Sequence, residues 1–365
     1  MKNWDAIIIG AGIIGLSLAI ELKKKGLRVL ILDKGEPGRE ASWAAGGMLV
    51  DFPCETHPKL QELATASARM YPEFVHELQD ESGLKIDLRA QGTLVLININ
   101  VGTGHRPRTT QAYSLPRPLA ELEPALQIQN YAKPRFTPHF VPECCVDPRD
   151  LTAAAIAAAR HREIDFSSGD EVLAVEVDDG KACGVRTNKT QFSAGIVVNC
   201  AGAWAGKIGP HSFPTRPVKG QMLCVAMPEK ELVRHVLRTV GWKPDVYLIP
   251  RSDGRMLIGA TAEEAGFDKE TVPQTIQNLR RSALNLVPRL ADARILEAWA
   301  GLRPGTPDRL PILGATPTPG YFVATGHFRD GILLAPVTAK LMGEIVTGQR
   351  TQFDVSRFSA ARFTV

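Results

Sequence analysis

DAIIIGAGIIGLSLAIELKKKGLRVLILD, residues 5–33, is the stretch whose reading decides the fold. Its apolar run at 6–9 has the length and branching of a buried parallel strand. Gly10, Gly12 and Gly15 follow at G-x-G-x-x-G spacing. Leu16, Leu18, Ala19 and Leu22 then recur at helical spacing, and Gly26 sits where a helix-ending glycine belongs. A second apolar strand, 29–32, ends in Asp33. A glycine fingerprint held between two strands and closed by an acid is a βαβ unit built for a dinucleotide. The glycines let the backbone turn sharply against a pyrophosphate, and the helix start offers it unpaired N–H groups and a partial positive charge. Asp33 can accept hydrogen bonds from both ribose hydroxyls and would repel a 2′-phosphate. These residues do not choose between NAD and FAD. A secretory leader is the competing reading, because Lys2 precedes an apolar core. Asp5 interrupts it, no small-residue cleavage site follows, and a basic amphipathic helix comes next.

The 365 residues suffice for two domains. A hydrophobic content of 44% and a charged content of 22% are ordinary for a globular protein. The net charge of +4 is too small and too dispersed to argue for nucleic acid, and its densest cluster, HRPR at 105–108, reads as a solvated loop. No apolar run reaches the roughly 18 residues of a membrane span. Cysteines 54, 144, 145, 183, 200 and 224 form no C-x-x-C pair. With no leader, they read as reduced thiols in a cytoplasmic protein. The eight histidines show no H-x-x-x-H spacing, so no metal site is expected.

After Asp33, Gly35, Pro37 and Gly38 mark a turn. Ala44, Ala45, Gly46 and Gly47 then offer backbone suited to lie against a flat ring, and the adaptable Met48 follows. Residues 58–81 carry a helical apolar face with Ser67 as its small polar member and Pro72 as a candidate kink. A strand at 91–98 leads into a Pro-rich irregular stretch to about 142. The run 146–162 is a helix with Pro148 in its first turn. Segments 171–177 and 182–187 flank Asp178-Asp179-Gly180 as a hairpin. A buried strand at 196–198 enters the small-residue turn at 200–204. Then come a strand at 218–227, a hairpin of 245–251 with 255–259, and an amphipathic helix at 270–287. The string 298–314 reads as loop-rich, with Arg303 in a small-residue frame and Arg309 beyond it. A strand at 321–324, a turn at 326–331 and a helix at 332–346 make a second strand–turn–helix with a glycine-rich start. A helix N-terminus there would stabilise negative charge on the pyrimidine edge of a reduced flavin. His327 fits a capping or packing role as readily as a ring contact.

By these motifs the chain resembles the FAD-dependent D-amino-acid oxidase superfamily, and within it the glycine oxidases of the thiamine pathway. GAGIIGLSLA (10–19), AAGGML (44–49), WAGLRPGTPD (299–308) and GHFRDGILLAPVTA (326–339) carry the resemblance. VDPRDL (146–151), NCAGAW (199–204) and RPVKGQM (216–222) add to it, while about 86–142 matches poorly. The resemblance implies an α/β fold with a discontinuous, Rossmann-like FAD-binding domain from 1–85, 145–217 and 300–365. An α+β substrate domain built on an antiparallel sheet would come from 86–144 and 218–299, with the active site between the two. It implies non-covalent FAD, with Gly10, Gly12, Ile13, Ile14 and Gly15 at the pyrophosphate turn and Asp33 and Lys34 at the adenosine ribose. Ala41, Ser42, Gly46, Gly47 and Met48 would touch the flavin or its chain, Val172 the adenine side, and Ala201, Gly202 and Trp204 the cofactor. His327, Phe328, Arg329, Asp330, Gly331, Ile332 and Leu333 would wrap the isoalloxazine edge. Arg303 would hold the substrate carboxylate as a bidentate fork, Tyr247 would add a hydrogen bond, and Arg329 and Met48 would line the same pocket.

The implied reaction is oxidative deamination of glycine or another small (D-)amino acid, giving an imine, then keto acid, ammonia and hydrogen peroxide. No residue is assigned acid–base chemistry, because the cofactor carries the hard step and the protein supplies position. The implied partners are the amino acid and molecular oxygen, with no nucleic acid and no membrane span, and homo-oligomerisation is left open. Two departures from the family pattern stand out. Asp245 occupies a position where these oxidases often carry histidine, and Ala262 one where some carry methionine. The smaller side chain enlarges the pocket, so amino acids bulkier than glycine are admitted. A D-amino-acid dehydrogenase or sarcosine-type amine oxidase is the nearest alternative, although no cysteine after Cys224 could fix the flavin covalently. A nucleotide-binding or RNA-modifying flavoprotein is the alternative of another class, and the modest charge and the Arg303 motif stand against it.

Overall fold

Strand Ala6–Ile9 lies inside a six-stranded sheet in the computed structural model, which describes residues 4–51, 56–98, 114–128 and 136–363. The HRPR cluster, Cys54 and part of the Pro-rich stretch fall outside the described residues. The strand order is Ile312–Ala315, Tyr321–Thr325, Ile196–Asn199, Ala6–Ile9, Val29–Asp33, Asp165–Ser168. Every neighbouring pair is parallel except Ile312–Ala315 with Tyr321–Thr325. Solidly apolar strands fit this sheet because both of its faces are covered. Helices Ile13–Lys24, Gln61–Ser82, Pro148–His161 and Gly331–Val346 share one core. On the other face, the three-stranded sheet of Val172–Asp178, Lys181–Thr187 and Gln191–Ser193 closes a second. Pro72 sits inside Gln61–Ser82 without splitting it.

The second sheet has seven strands, in the order Arg294–Gly305, Arg216–Ala226, Arg255–Gly259, Tyr247–Pro250, Val236–Val240, Thr93–Asn98, Phe136–Val141. It is antiparallel, as expected, apart from one parallel pair: Thr93–Asn98 runs alongside Val236–Val240. Alternation divides its faces. Leu94, Leu223, Leu237, Leu248 and Ile258 point into a core shared with helix Pro273–Leu286. Arg238, Tyr247 and Met222 leave the opposite face, while the buried Lys219 and Gln221 alternate with Met222 and share the face of Leu223. Among the described residues no helix is long and apolar enough to cross a membrane.

The loop-rich reading of 298–314 is corrected. Residues Arg294–Gly305 form a strand that pairs with Arg216–Ala226 along its whole length, and Ile312–Ala315 is a strand as well. The glycines and Pro304 that suggested a loop have other uses. The strand is at the sheet edge, where a proline forfeits no necessary ladder bond. A Cβ on Gly301 would lie 2.3 Å from that of Ala44, so the glycine is there for close approach.

Candidate active site

A cavity of about 910 Å³ opens between the two sheets. At one end is the N-terminus of helix Ile13–Lys24. Gly10 adopts φ +103°, and a Cβ on it would be 2.6 Å from the Cys200 carbonyl oxygen. A Cβ on Gly15 would be 2.0 Å from the Gly10 oxygen, so both positions need glycine for the turn to close. The Asp33 carboxylate accepts from the Ala11 N–H at 2.7 Å and from the Gly35 N–H at 2.8 Å. Each oxygen keeps a lone pair for a further donor. Ser42 Oγ accepts from the Ile13 N–H at 2.9 Å, which ties the helix start to the segment before the small-residue loop. Lys34 Nζ lies 3.5 Å over the Trp204 ring, and partial burial lowers its pKa.

The other end is roofed by the face of the seven-stranded sheet that carries Arg238 and Tyr247. Arg238, Tyr247, Gly259, Met222 and Trp299 lie directly opposite one another across five adjacent strands, so their side-chain directions share that face. Trp299, Gly301 and Arg303 alternate along the edge strand and put Arg303 on it too. Two glycines clear the space. A Cβ on Gly259 would be 2.7 Å from the Tyr247 ring, and one on Gly220 would be 2.3 Å from the Arg303 guanidinium. Arg303 Nη1 donates to the Thr261 carbonyl at 2.9 Å, which fixes the fork without using all five of its donors. Burial pushes the Tyr247 phenol above its usual range, and the positive charge of the Arg303 guanidinium acts in the opposite direction. The Tyr247 hydroxyl also reaches Met222 Sδ at 3.6 Å.

Helix Gly331–Val346 aims its N-terminus at the cavity. Pro336 cannot bond back to Ile332, and the Tyr71 hydroxyl caps that carbonyl instead. Ser67 Oγ donates to the Leu333 carbonyl at 2.6 Å and accepts from the Val337 N–H at 3.3 Å. His327 is buried beside Thr338, with Nε2 and Oγ1 3.1 Å apart, and burial drives its pKa down to about 3. It is therefore neutral at ordinary pH.

A model of the FAD dependent oxidoreductase family matches residues 5–345. The chain belongs to that family. It is 33% identical, over 97% of its length, to the glycine oxidase of Pseudomonas aeruginosa, and covers 98% of that protein. It is 35% identical to the Bifunctional protein ThiO/ThiG of Trichormus variabilis over 98% of its own length but only 55% of that protein. The chain thus spans about half the length of the first of its curated relatives. The crystal structure of glycine oxidase from Geobacillus kaustophilus matches with a TM-score of 0.88 and 31% identity, over 99% of both chains. The family's FAD fits what the cavity offers: a glycine turn that a Cβ would fill, an acid at the second strand's end, and two helix N-termini.

All the site residues inferred from sequence line this one cavity except Gly15 and Leu333. Gly15 acts behind the turn, and the Leu333 side chain is in the core. The two departures from the family pattern, Asp245 and Ala262, also line it. Sequence reasoning missed Arg238, a lining residue on strand Val236–Val240. Its only signal was an arginine inside the apolar run VLRTV. Among the described residues no cluster of His, Cys, Asp or Glu could hold a metal.

Proposed function

We propose that this member of the FAD-dependent oxidoreductases deaminates glycine or another small (D-)amino acid, with oxygen as acceptor, and serves thiazole formation for thiamine. The carrying observation is the Arg303–Tyr247 pair at the far end of the cavity that begins at the dinucleotide fingerprint. The glycine oxidases and ThiO/ThiG relatives support the substrate class. Residues 1–85, 145–217 and 300–365 would hold FAD, and 86–144 and 218–299 would shape the substrate pocket. FAD held by the fingerprint turn, Asp33 and the start of helix Gly331–Val346 would supply two-electron oxidation of the amine, with oxygen as the final acceptor and hydrogen peroxide as the product.

The chain's own residues do the rest. The Arg303 fork and the Tyr247 hydroxyl would hold the carboxylate, so the α-hydrogen has one orientation. Ala44, Gly46 and Gly47 leave the backbone bare where a flat ring would lie. The N-terminus of Gly331–Val346, with neutral His327 beside it, would favour negative charge at the ring edge. The substrate enters with a neutral amine, and water hydrolyses the imine product. The proposed setting is the cytoplasm; the five described cysteines are free thiols. Mixing the yellow protein with glycine, sarcosine and D-amino acids tests the reading. Flavin bleaching without air and one peroxide per substrate in air are expected. Bleaching that yields no peroxide would instead favour a dehydrogenase.

A further inference from the structure

Between strand Arg255–Gly259 and helix Pro273–Leu286 runs a strap, ATAEEAGFDKETV at 260–272. Its roots are buried in the seven-stranded sheet. The Lys219 and Glu263 backbones exchange two hydrogen bonds of 2.9 Å. Gln221, fully buried, donates from Nε2 to Glu263 Oε1 at 2.9 Å and accepts from the Val272 N–H at 2.7 Å. One side chain thus holds both ends of the strap. Lys219, only 2% exposed, donates from Nζ to Asp268 Oδ2. A lysine buried this far is costly to separate from its carboxylate.

The tip reaches across to elements beside the first sheet, and its contacts there are of another kind. Phe267 packs on Trp204 with ring centroids 5.1 Å apart, and Lys207 Nζ lies 3.9 Å from the Phe267 centroid. Lys269 Nζ lies 3.0 Å from Glu40 Oε1, just before helix Ala41–Ala44. Trp204, Lys207 and Glu40 all line the cavity. They do so at its Asp33 end, because Lys34, the next residue, holds its Nζ 3.5 Å from the Trp204 centroid. Glu40 also borders a separate open pocket of about 330 Å³, together with Lys269 and Thr271 of the strap. Phe267 is 37% exposed, and the Lys269 and Glu40 side chains are 47% and 37% exposed. Ion pairs so exposed hold weakly. A segment with buried roots and a weakly held tip lifts at the tip long before the domain unfolds.

We propose that the 260–272 strap is a clasp on the rim of the Asp33 end. Its tip closes on Trp204 and Glu40 once FAD is in place, and it must lift for the cofactor to enter or leave. Phe267 and Lys269 then set how long FAD stays, although neither is among the residues that line the cavity. The inference depends on the family's FAD and not on which amine is oxidised.

Release of FAD from the holoenzyme is followed by the rise of flavin fluorescence on dilution. Phe267→Ala and Lys269→Met should each speed release about threefold, and together about tenfold. Phe267→Tyr keeps the ring and should release as slowly as the unaltered protein. Added salt should speed release less in Lys269→Met than in the unaltered protein, because the exposed ion pair is already gone. Exchanging the charges, Lys269→Glu with Glu40→Lys, should restore the slow release that either change alone loses. Release unaltered in the double variant of Phe267→Ala and Lys269→Met would overturn the clasp. So would faster release that the exchanged pair fails to slow, since loosening unrelated to the Lys269–Glu40 contact behaves that way. A protein that takes up no FAD at all would remove the cofactor reading along with the clasp, whereas failure of every amine to reduce bound flavin leaves the clasp standing.

Discussion

Arg303 and Gly220 show how one side chain and one missing side chain make a site. The guanidinium occupies the space a Cβ on Gly220 would need. Gly220→Ala should push the fork off the Thr261 carbonyl and raise the substrate KM while FAD stays bound. Arg303→Ala should act more strongly, because losing charge-assisted bonds to a carboxylate costs roughly 2–5 kcal/mol. Steady-state kinetics beside flavin content checks both; an unchanged KM in Arg303→Ala would remove it from substrate binding. His327 allows a different test. Its pKa falls to about 3 in the folded protein, against 6.5 for an ordinary histidine. As pH drops below 6.5 the unfolded chain takes a proton that the folded chain refuses. Stability from this group is whole above that pH and falls by about 1.4 kcal/mol per unit towards pH 3. Urea unfolding should therefore show a shallower loss on acidification in His327→Asn than in the unaltered protein. Arg303 was legible because a motif of ten residues surrounds it. Arg238 was not, since an arginine in an apolar strand gains meaning only from its register with Tyr247, and register is a long-range property.

Elements were legible where their signal was local. The fingerprint helix and the 3.6-residue faces of Gln61–Ser82 and Pro273–Leu286 depend on near neighbours in the chain. Strand Arg294–Gly305 was misread because its glycines and proline answer to Ala44 and to an edge position, neither visible from the segment itself. Helix Gly331–Val346 depends on distant residues in another way. Pro336 opens its first turns, and Tyr71 and Ser67 from Gln61–Ser82 satisfy the freed carbonyls of Ile332 and Leu333. Tyr71→Phe leaves the Ile332 oxygen buried without that donor, at a cost of about 1–3 kcal/mol. The helix start should loosen with it. We expect a lower melting temperature and weaker FAD retention on dialysis for Tyr71→Phe. A variant that melts lower yet holds FAD as firmly as before would separate the kink from the cofactor site.

Across the whole molecule, each sheet has its own main core, and a smaller apolar cluster joins Ala44 and Cys145 to Met222, Ile249 and Trp299 between them. Arg251, fully buried just after Tyr247–Pro250, adds a polar tie across the same seam. Its Nη2 donates to the Gly46 carbonyl at 2.8 Å and its Nη1 to the Val146 carbonyl at 3.0 Å. Its Nε lies 3.6 Å from Asp147 Oδ2. Asp147 caps helix Pro148–His161 through the Arg149 N–H and pairs with Arg255 at 2.9 Å. One side chain from the second sheet therefore grips the small-residue loop and the helix cap beside the first. Removing one partner of a buried charge pair costs roughly 3–5 kcal/mol. Arg251→Met should lower the melting temperature by several degrees, because that loss is a large share of a typical folding free energy. It should also weaken FAD, since Gly46 and Gly47 lose their anchor. Arg251→Lys keeps a charge near Asp147 but cannot reach both carbonyls, so it should recover stability better than FAD affinity. Parallel melts read by flavin and by tryptophan fluorescence would separate the two losses. Equal recovery of both in Arg251→Lys would mean that the pair with Asp147, rather than the two carbonyl bonds, sets the cavity's width.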